Sequence, residues 1–256
     1  MKSLPIGNEE FKNRIVAAAR PKAMFWTANL WIVIVPENGL FSPEETSRLI
    51  NPIFHAYKPL RQCLFTEYQL TAEMRRGNIF LWTACVAENT YDPDGLKLPS
   101  PEVSKRGGII SQALDHFHFG RGRSGSLLDG AIFHLAKNES ALSLFMMHQA
   151  AEQLLRGLLL SLALQNMRSH SLHELNNKMR KFIPALVLFE DAEDDDKRLL
   201  DQLEYSYSAA RYNVSFDVSE HNLWSILRKL KRFRDAAVST FNETISRFKI
   251  AYPINE

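Results

Sequence analysis

His148 and Glu152 stand four residues apart in Phe145-Met146-Met147-His148-Gln149-Ala150-Ala151-Glu152-Gln153-Leu154-Leu155. On a helix that interval puts an imidazole and a carboxylate on one face, where they can hydrogen-bond, orient a base or hold the ribose and phosphate edge of a nucleotide. A polar seam satisfied inside a helical bundle is the plain structural account of the same pair, and the small Ala150-Ala151 step admits close helix contact under either. A second candidate is Arg228-Lys229-Leu230-Lys231-Arg232-Phe233-Arg234, five cations in seven residues with two apolar side chains between them. Such a run can dock on a phosphate backbone while its apolar stripe packs inward, or it can be a solvated outer face. Arg121-Gly122-Arg123 reads as a loop, either a mobile linker or an RNA-contacting segment. His116, His118 and His134 are awkwardly spaced for a metal and have no neighbouring cysteine, so no metal site and no cofactor is expected. Cys63 and Cys85 are too far apart for a ligand pair and too few for a disulfide framework, which makes them reduced packing residues. Trp26, Trp31, Trp82 and Trp224 are read as core or interface anchors.

Two kinds of element must position these residues. Asn29 to Val35 is a continuous apolar, β-branched run ended by Pro36 and Asn38-Gly39, the pattern of a strand covered on both faces. Ser42-Pro43-Glu44-Glu45 has the form of a capping box and opens a helix to about Tyr57. Leu60 to Thr66 then reads as a strand, Glu67 to Arg76 as a short helix and Ile79 to Ala87 as another. Tyr91-Asp92-Pro93-Asp94-Gly95, with Pro99 and Pro101 after it, marks the seam between a small α/β module over residues 1–98 and a second module over 99–256. Beyond the seam the period is helical throughout. Glu102 to Phe119 and Leu127 to Lys137 flank the Gly120 to Ser126 loop. Glu139 to Asn166 is the central helix, with Leu142, Phe145, Met146, Ala150, Leu154, Leu158 and Leu162 recurring at three- and four-residue steps. His173 to Phe182, Asp194 to about Tyr212 and Ser219 to about Phe248 complete an up-down, all-α bundle of about five helices. The fold class expected is α+β overall.

Composition narrows the class. The 256 residues are 45% hydrophobic, 11% aromatic and 23% charged, enough apolar material for a core and ordinary in charge. Basic and acidic side chains number 11 and 10 in residues 1–100 and 20 and 19 in the remainder, so neither module is a general polyanion binder and nucleic acid must be met by local patches. His148, Gln149, Glu152 and Arg156 interrupt the longest apolar stretch, which argues against a membrane span, and no signal peptide pattern opens the chain. A cytoplasmic location is expected, with no membrane partner.

His148-Gln149-Ala150-Ala151-Glu152 in a long apolar helix, then His170-Ser171-Leu172-His173-Glu174-Leu175, then Tyr207-Ser208-Ala209-Ala210-Arg211-Tyr212, together resemble the HEPN family in order and spacing over about residues 101–248. The resemblance implies a helical bundle that commonly dimerises, and many relatives are metal-independent ribonucleases or toxins of two-component modules. Their nuclease signature is an arginine followed after four to six residues by a histidine, the first stabilising phosphate charge and the second moving a proton. Arg211 takes the arginine position, but Tyr212 to Val218 contains no histidine, and His221 comes nine intervening residues later. The resemblance therefore implies a non-catalytic, RNA- or nucleotide-binding regulatory component, related to toxin-antitoxin or defence modules. A ribonuclease pairing Arg211 with a displaced His221 or His148, and a bare interaction scaffold, are the alternatives. On these lines Arg211, Tyr212, His148, Glu152, Arg228, Lys229, Lys231 and Arg232 are the binding residues. Arg211 is either a phosphate contact or the ion-pair partner of an acid such as Glu152. The partners implied are RNA or a nucleotide, a second copy of the chain through the bundle, and a cognate antitoxin or nucleotidyltransferase.

The first module is similar to a minimal nucleotidyltransferase of the polymerase-beta type. Asn29 to Val35 resembles its metal-bearing strand, and Phe65-Thr66-Glu67, Arg76 to Phe80 and Tyr91-Asp92 resemble its later part. Thr27 and Asn29 stand where two magnesium-binding aspartates would be, and the Gly-Ser turn is missing. Neutral side chains cannot assemble a two-magnesium centre, so the resemblance implies a degenerate, inert copy.

Overall fold

The computed structural model describes residues 8–27, 30–37, 39, 41–57, 60–86, 89–183, 186, 188–189, 194–212 and 218–253, of which 8, 194 and 210–212 by backbone alone. The fold is α+β, and the chain divides into two compact units. One comprises residues 1–105, 181–185 and 247–256; the other comprises 106–180 and 186–246.

In the first unit, α1 (Asn8–Ala19), β1 (Ala23–Trp26), β2 (Leu30–Val35), α2 (Pro43–His55), β3 (Arg61–Thr66), α3 (Glu67–Arg76), α4 (Ile79–Ala84) and β4 (Thr90–Tyr91) follow in order. The sheet runs β3-β2-β1-β4. β2 and β3 are parallel, with Ile32 opposite Cys63, so α2 is the crossover between them; β1 is antiparallel to β2 and to β4. All six residues of β2 are buried, as its unbroken apolar run requires of a central strand. The capping box at α2 is present in both directions, Ser42 Oγ accepting from Glu45 N and Glu45 accepting from Ser42 N. α3 opens with the same reciprocal pair from Thr66 and Gln69, and Gly77, at φ 105°, closes it. α4 stops at Ala84 rather than Ala87, where the Cys85 N–H turns back to Leu81 O. α1 and β1 were not anticipated. α1 buries Phe11 and Ile15, an i, i+4 pair, and Phe11 packs its ring 5.0 Å from Trp31 and edge-on to Phe54 at 5.1 Å. Thr27 follows β1 with its N–H on Leu30 O, whereas Asn29 lies outside the described residues.

The second unit is helical, built from α5 (Val103–Ala136), α6 (Ser140–Ala163), α7 (Leu172–Phe182), α8 (Asp194–Tyr212) and α9 (Glu220–Ala251). Helix α5 overturns one expectation, because Gly120 to Ser126 is not a loop but the middle of a continuous 34-residue helix. Packing explains the glycine at 120. A Cβ there would lie 2.8 Å from Gln153 O and 2.8 Å from Gly157 Cα, and one at Gly157 would lie 3.0 Å from Gly120 Cα. The two backbones touch, and only glycine at both positions allows it. Phe117, stacked 4.0 Å from Phe241, fixes α5 to α9 one turn away. α6 ends three residues before the expected Asn166: Leu164 adopts a left-handed conformation (φ 52°) and its N–H returns to Leu159 O. Residues 164–171 then run as irregular chain to the start of α7.

Candidate functional site

Helix α6 presents His148, Glu152 and Arg156 at successive turns of one face, i, i+4 and i+8. Helix α8 presents Glu204 and Tyr207 at i and i+3, and Ser206 of α8, whose hydroxyl donates to Leu203 O at 2.6 Å, lies 3.4 Å from Leu144 O of α6. The irregular segment after α6 adds His170. These six side chains meet in one polar cluster.

Glu152 is its anchor. It is 1% exposed, and no ionised carboxylate is tolerated at that depth without partners. Arg156 Nη1 donates to its Oε1 at 2.7 Å, His170 Nδ1 lies 3.1 Å from both carboxylate oxygens, and Gln149 Nε2 reaches Oε2 at 3.4 Å. Arg156 Nε also donates to Met167 O at 2.8 Å, which fastens the 164–171 segment over the carboxylate. A carboxylate only accepts, so His170 donates to it from Nδ1 and turns Nε2 away from Glu152. Half of the His170 side chain is exposed, and its ring stacks on Tyr207 at 5.1 Å and 19°.

His148 faces elsewhere. Fully buried, it lies with Nε2 3.8 Å from Glu204 Oε2, its Nδ1 3.3 Å from Gln149 Nε2 and its ring 5.0 Å from Tyr207. At 3.8 Å this approach to Glu204 is longer than an ordinary hydrogen bond. Burial pushes the Glu204 carboxyl up, but the His148 imidazole, the Ser171 hydroxyl and the Leu172 N–H together outweigh it and hold the group below its ordinary 4.5. The Leu172 N–H bond is short, 2.6 Å, and caps the first turn of α7.

The structure thus brings His148 and Glu152 onto one face, yet each has its own carboxylate or imidazole partner on another element. Arg211 and Tyr212 form the last turn of α8, one turn beyond Tyr207; their side chains, and residues 213–217 after them, lie outside the described residues. Glu152 takes its ion pairs from Arg156 and His170. His221 is exposed in the first turn of α9 and makes no hydrogen bond or ion pair to the cluster. In the basic run, Leu230 and Phe233 are buried, while Arg228, Lys231 and Arg232 are exposed. Lys229 is a clasp instead, its Nζ 2.6 Å from the buried carboxylate of Asp196. Arg121 of α5 and Arg234 of α9, far apart in sequence, line one open cleft with His118 and Asp235. Among the described residues no group of three or more His, Cys, Asp and Glu side chains is placed to hold a metal ion, and no helix is long and apolar enough to cross a membrane.

Sequence reasoning missed Arg156, Glu204 and the site role of His170. Arg156 carried a signal, since it continues the four-residue spacing from His148 through Glu152. Compared with known families, residues 123–241 match the HEPN domain. No curated protein matches the chain.

Proposed function

Since the C-terminal part of the chain carries a HEPN domain, we propose that it binds RNA or a nucleotide at the α6–α8 cluster and serves as a regulatory component, of the kind found in toxin-antitoxin or defence modules. The observation that supports it is the half-exposed His170 ring stacked on Tyr207, tethered by a buried carboxylate and one helical turn from Arg211. Stacked rings are a platform on which a splayed base can lie, and a guanidinium at the adjoining turn can take the phosphate. The exposed cations of α9, Arg228, Lys231 and Arg232, extend the contact along a strand. A second copy of the chain joined through the bundle, and a cognate antitoxin or nucleotidyltransferase, are the protein partners in this reading. The N-terminal unit acts as an inert nucleotidyltransferase-like remnant.

Fluorescence polarisation with a labelled single-stranded RNA tests the proposal. Arg211→Ala is expected to weaken binding at least tenfold, and the double variant Lys231→Ala, Arg232→Ala to lower the salt slope by about two, one for each phosphate that is no longer neutralised. Binding and salt slope unmoved by both variants, or no binding of any RNA or nucleotide, sinks the reading.

A further inference from the structure

Helix α5 carries two glycines that packing does not explain. A Cβ at Gly120 would strike the α6 backbone, but one at Gly122 or Gly125 would meet nothing within 4 Å, and glycine in the interior of a helix weakens it. Both border the open cleft between α5 and α9, a space of about 500 Å³ that begins one turn beyond the stacked Phe117 and Phe241. Their missing side chains leave the helix backbone open to whatever enters. Arg121 lines the cleft from α5 and Arg234 from α9, with His118 beside them. Neighbouring Arg123 lies over the Phe119 ring at 4.6 Å, whereas neither Arg121 nor Arg234 has a hydrogen bond or ion pair among the described residues. Asp235 borders the same cleft and likewise has no ion pair among the described residues, so the opposite charges have not closed on one another. Two forks of N–H donors, on separate helices, are left available to a ligand.

We propose that this cleft binds the phosphate group of a small phosphorylated compound, at a site that shares no residue with the α6–α8 cluster. A carboxylate offers one edge of two oxygens and satisfies one planar fork. Two guanidiniums from different helices require the larger set of acceptor oxygens on a phosphomonoester or a diphosphate. His118 supplies a further hydrogen bond. Asp235 accepts from a hydroxyl or an amine on the rest of the ligand, and it repels a continuous phosphate backbone, which selects a short ligand over a nucleic acid strand. The volume agrees, since about 500 Å³ falls within the range of small-ligand sites. The site stands independently of the RNA-binding reading above, because its residues lie on α5 and α9 alone.

Sodium pyrophosphate is the probe, titrated into the full chain at constant ionic strength, with binding read by calorimetry and by the thermal midpoint. Wild type is expected to bind it and to melt higher when saturated, as a ligand of the native state requires. The double variant Arg121→Ala, Arg234→Ala should weaken binding by about 10²-fold, the loss of two charge-assisted contacts. Lys231→Ala, Arg232→Ala removes the same charge from outside the cleft and should weaken it by less than about threefold, since exposed charges at a distance are screened. Gly125→Leu, whose side chain fills the cleft, should raise the thermal midpoint of the unliganded chain and abolish the pyrophosphate shift, a combination that an unfolded variant does not give. Pyrophosphate should still bind when the chain is saturated with single-stranded RNA. No pyrophosphate binding, equal losses from the two double variants, retained binding by Gly125→Leu, or displacement of pyrophosphate by RNA overturns the proposal, and displacement makes the cleft a stretch of an RNA path instead. A chain that takes pyrophosphate as described but no RNA supports this site and sinks only the earlier reading.

Discussion

Glu204 couples the cluster to the start of α7, and its carboxyl is held below the ordinary value by the His148 imidazole, the Ser171 hydroxyl and the Leu172 N–H against the opposing pull of burial. A carboxyl depressed in the folded state contributes stability that is present above its unfolded value and is lost as pH falls through its folded one. Wild type should therefore resist urea better than Glu204→Gln at pH 7, and the two unfolding midpoints should converge as pH falls from the ordinary 4.5 through the lower folded value. Equal midpoints at pH 7 contradict the linkage. Glu152→Ala is a harsher change, because it leaves Arg156 and His170 facing a hole. Removal of one partner of a buried pair costs about 3–5 kcal/mol, and the lower figure applies since Arg156 keeps part of its side chain in water. Urea unfolding monitored by circular dichroism measures it. At this scale the sequence showed half of the site. Four-residue spacing placed His148 and Glu152 on one face, but spacing says nothing about partners that arrive from another helix. Glu204 and His170 come from α8 and from irregular chain, and no local pattern marks either as facing α6.

Among elements, the crossing of α5 over α6 separates two glycines that look alike in sequence. Gly120 is pressed against the backbone of α6, so Gly120→Ala must push the helices apart and is expected to cost about 1–3 kcal/mol despite the better helix propensity of alanine. A Cβ at Gly122, two residues on, would meet nothing within 4 Å, so Gly122→Ala should stabilise by about 0.5–1 kcal/mol through the entropy of the unfolded chain. Opposite shifts in thermal midpoint check the pair, and shifts of the same sign refute the account. The cap of α2 and the covered strand β2 were legible because each is written within a few consecutive residues. The continuity of α5 was not. Gly-Arg-Gly-Arg-Ser-Gly-Ser has loop chemistry, and only its contact with α6, with stacked Phe117 and Phe241 beside it, overrides that tendency. α1 was legible in principle from the Phe11 and Ile15 spacing, while the four residues of β1 were too few to show a period.

Across the molecule, the tail of α9 is tied to the first unit by aromatic packing. Phe248 is fully buried, its ring 5.7 Å from Trp82 and 5.2 Å from Tyr252, and Trp82 Nε1 donates to Pro99 O at 3.1 Å. Phe248→Ala should destabilise this unit by about 3–5 kcal/mol and shift Trp82 fluorescence, although residue 248 is distant in sequence from the sheet. A change confined to the helical unit would contradict the assignment. The change of period near Tyr91 to Pro101 made the two kinds of structure readable from the sequence. The return of residues 247–256 to the first was not readable, because Ser219 to Phe248 is one uninterrupted amphipathic pattern. A single backbone ladder from Glu220 to Ala251 therefore has residues in both compact units. Under isotope labelling, amides near Ile226 and Phe241 should exchange at the pace of bundle opening, while those of Lys249 and Ala251 follow the melting of the sheet, so that one helix reports two independent rates.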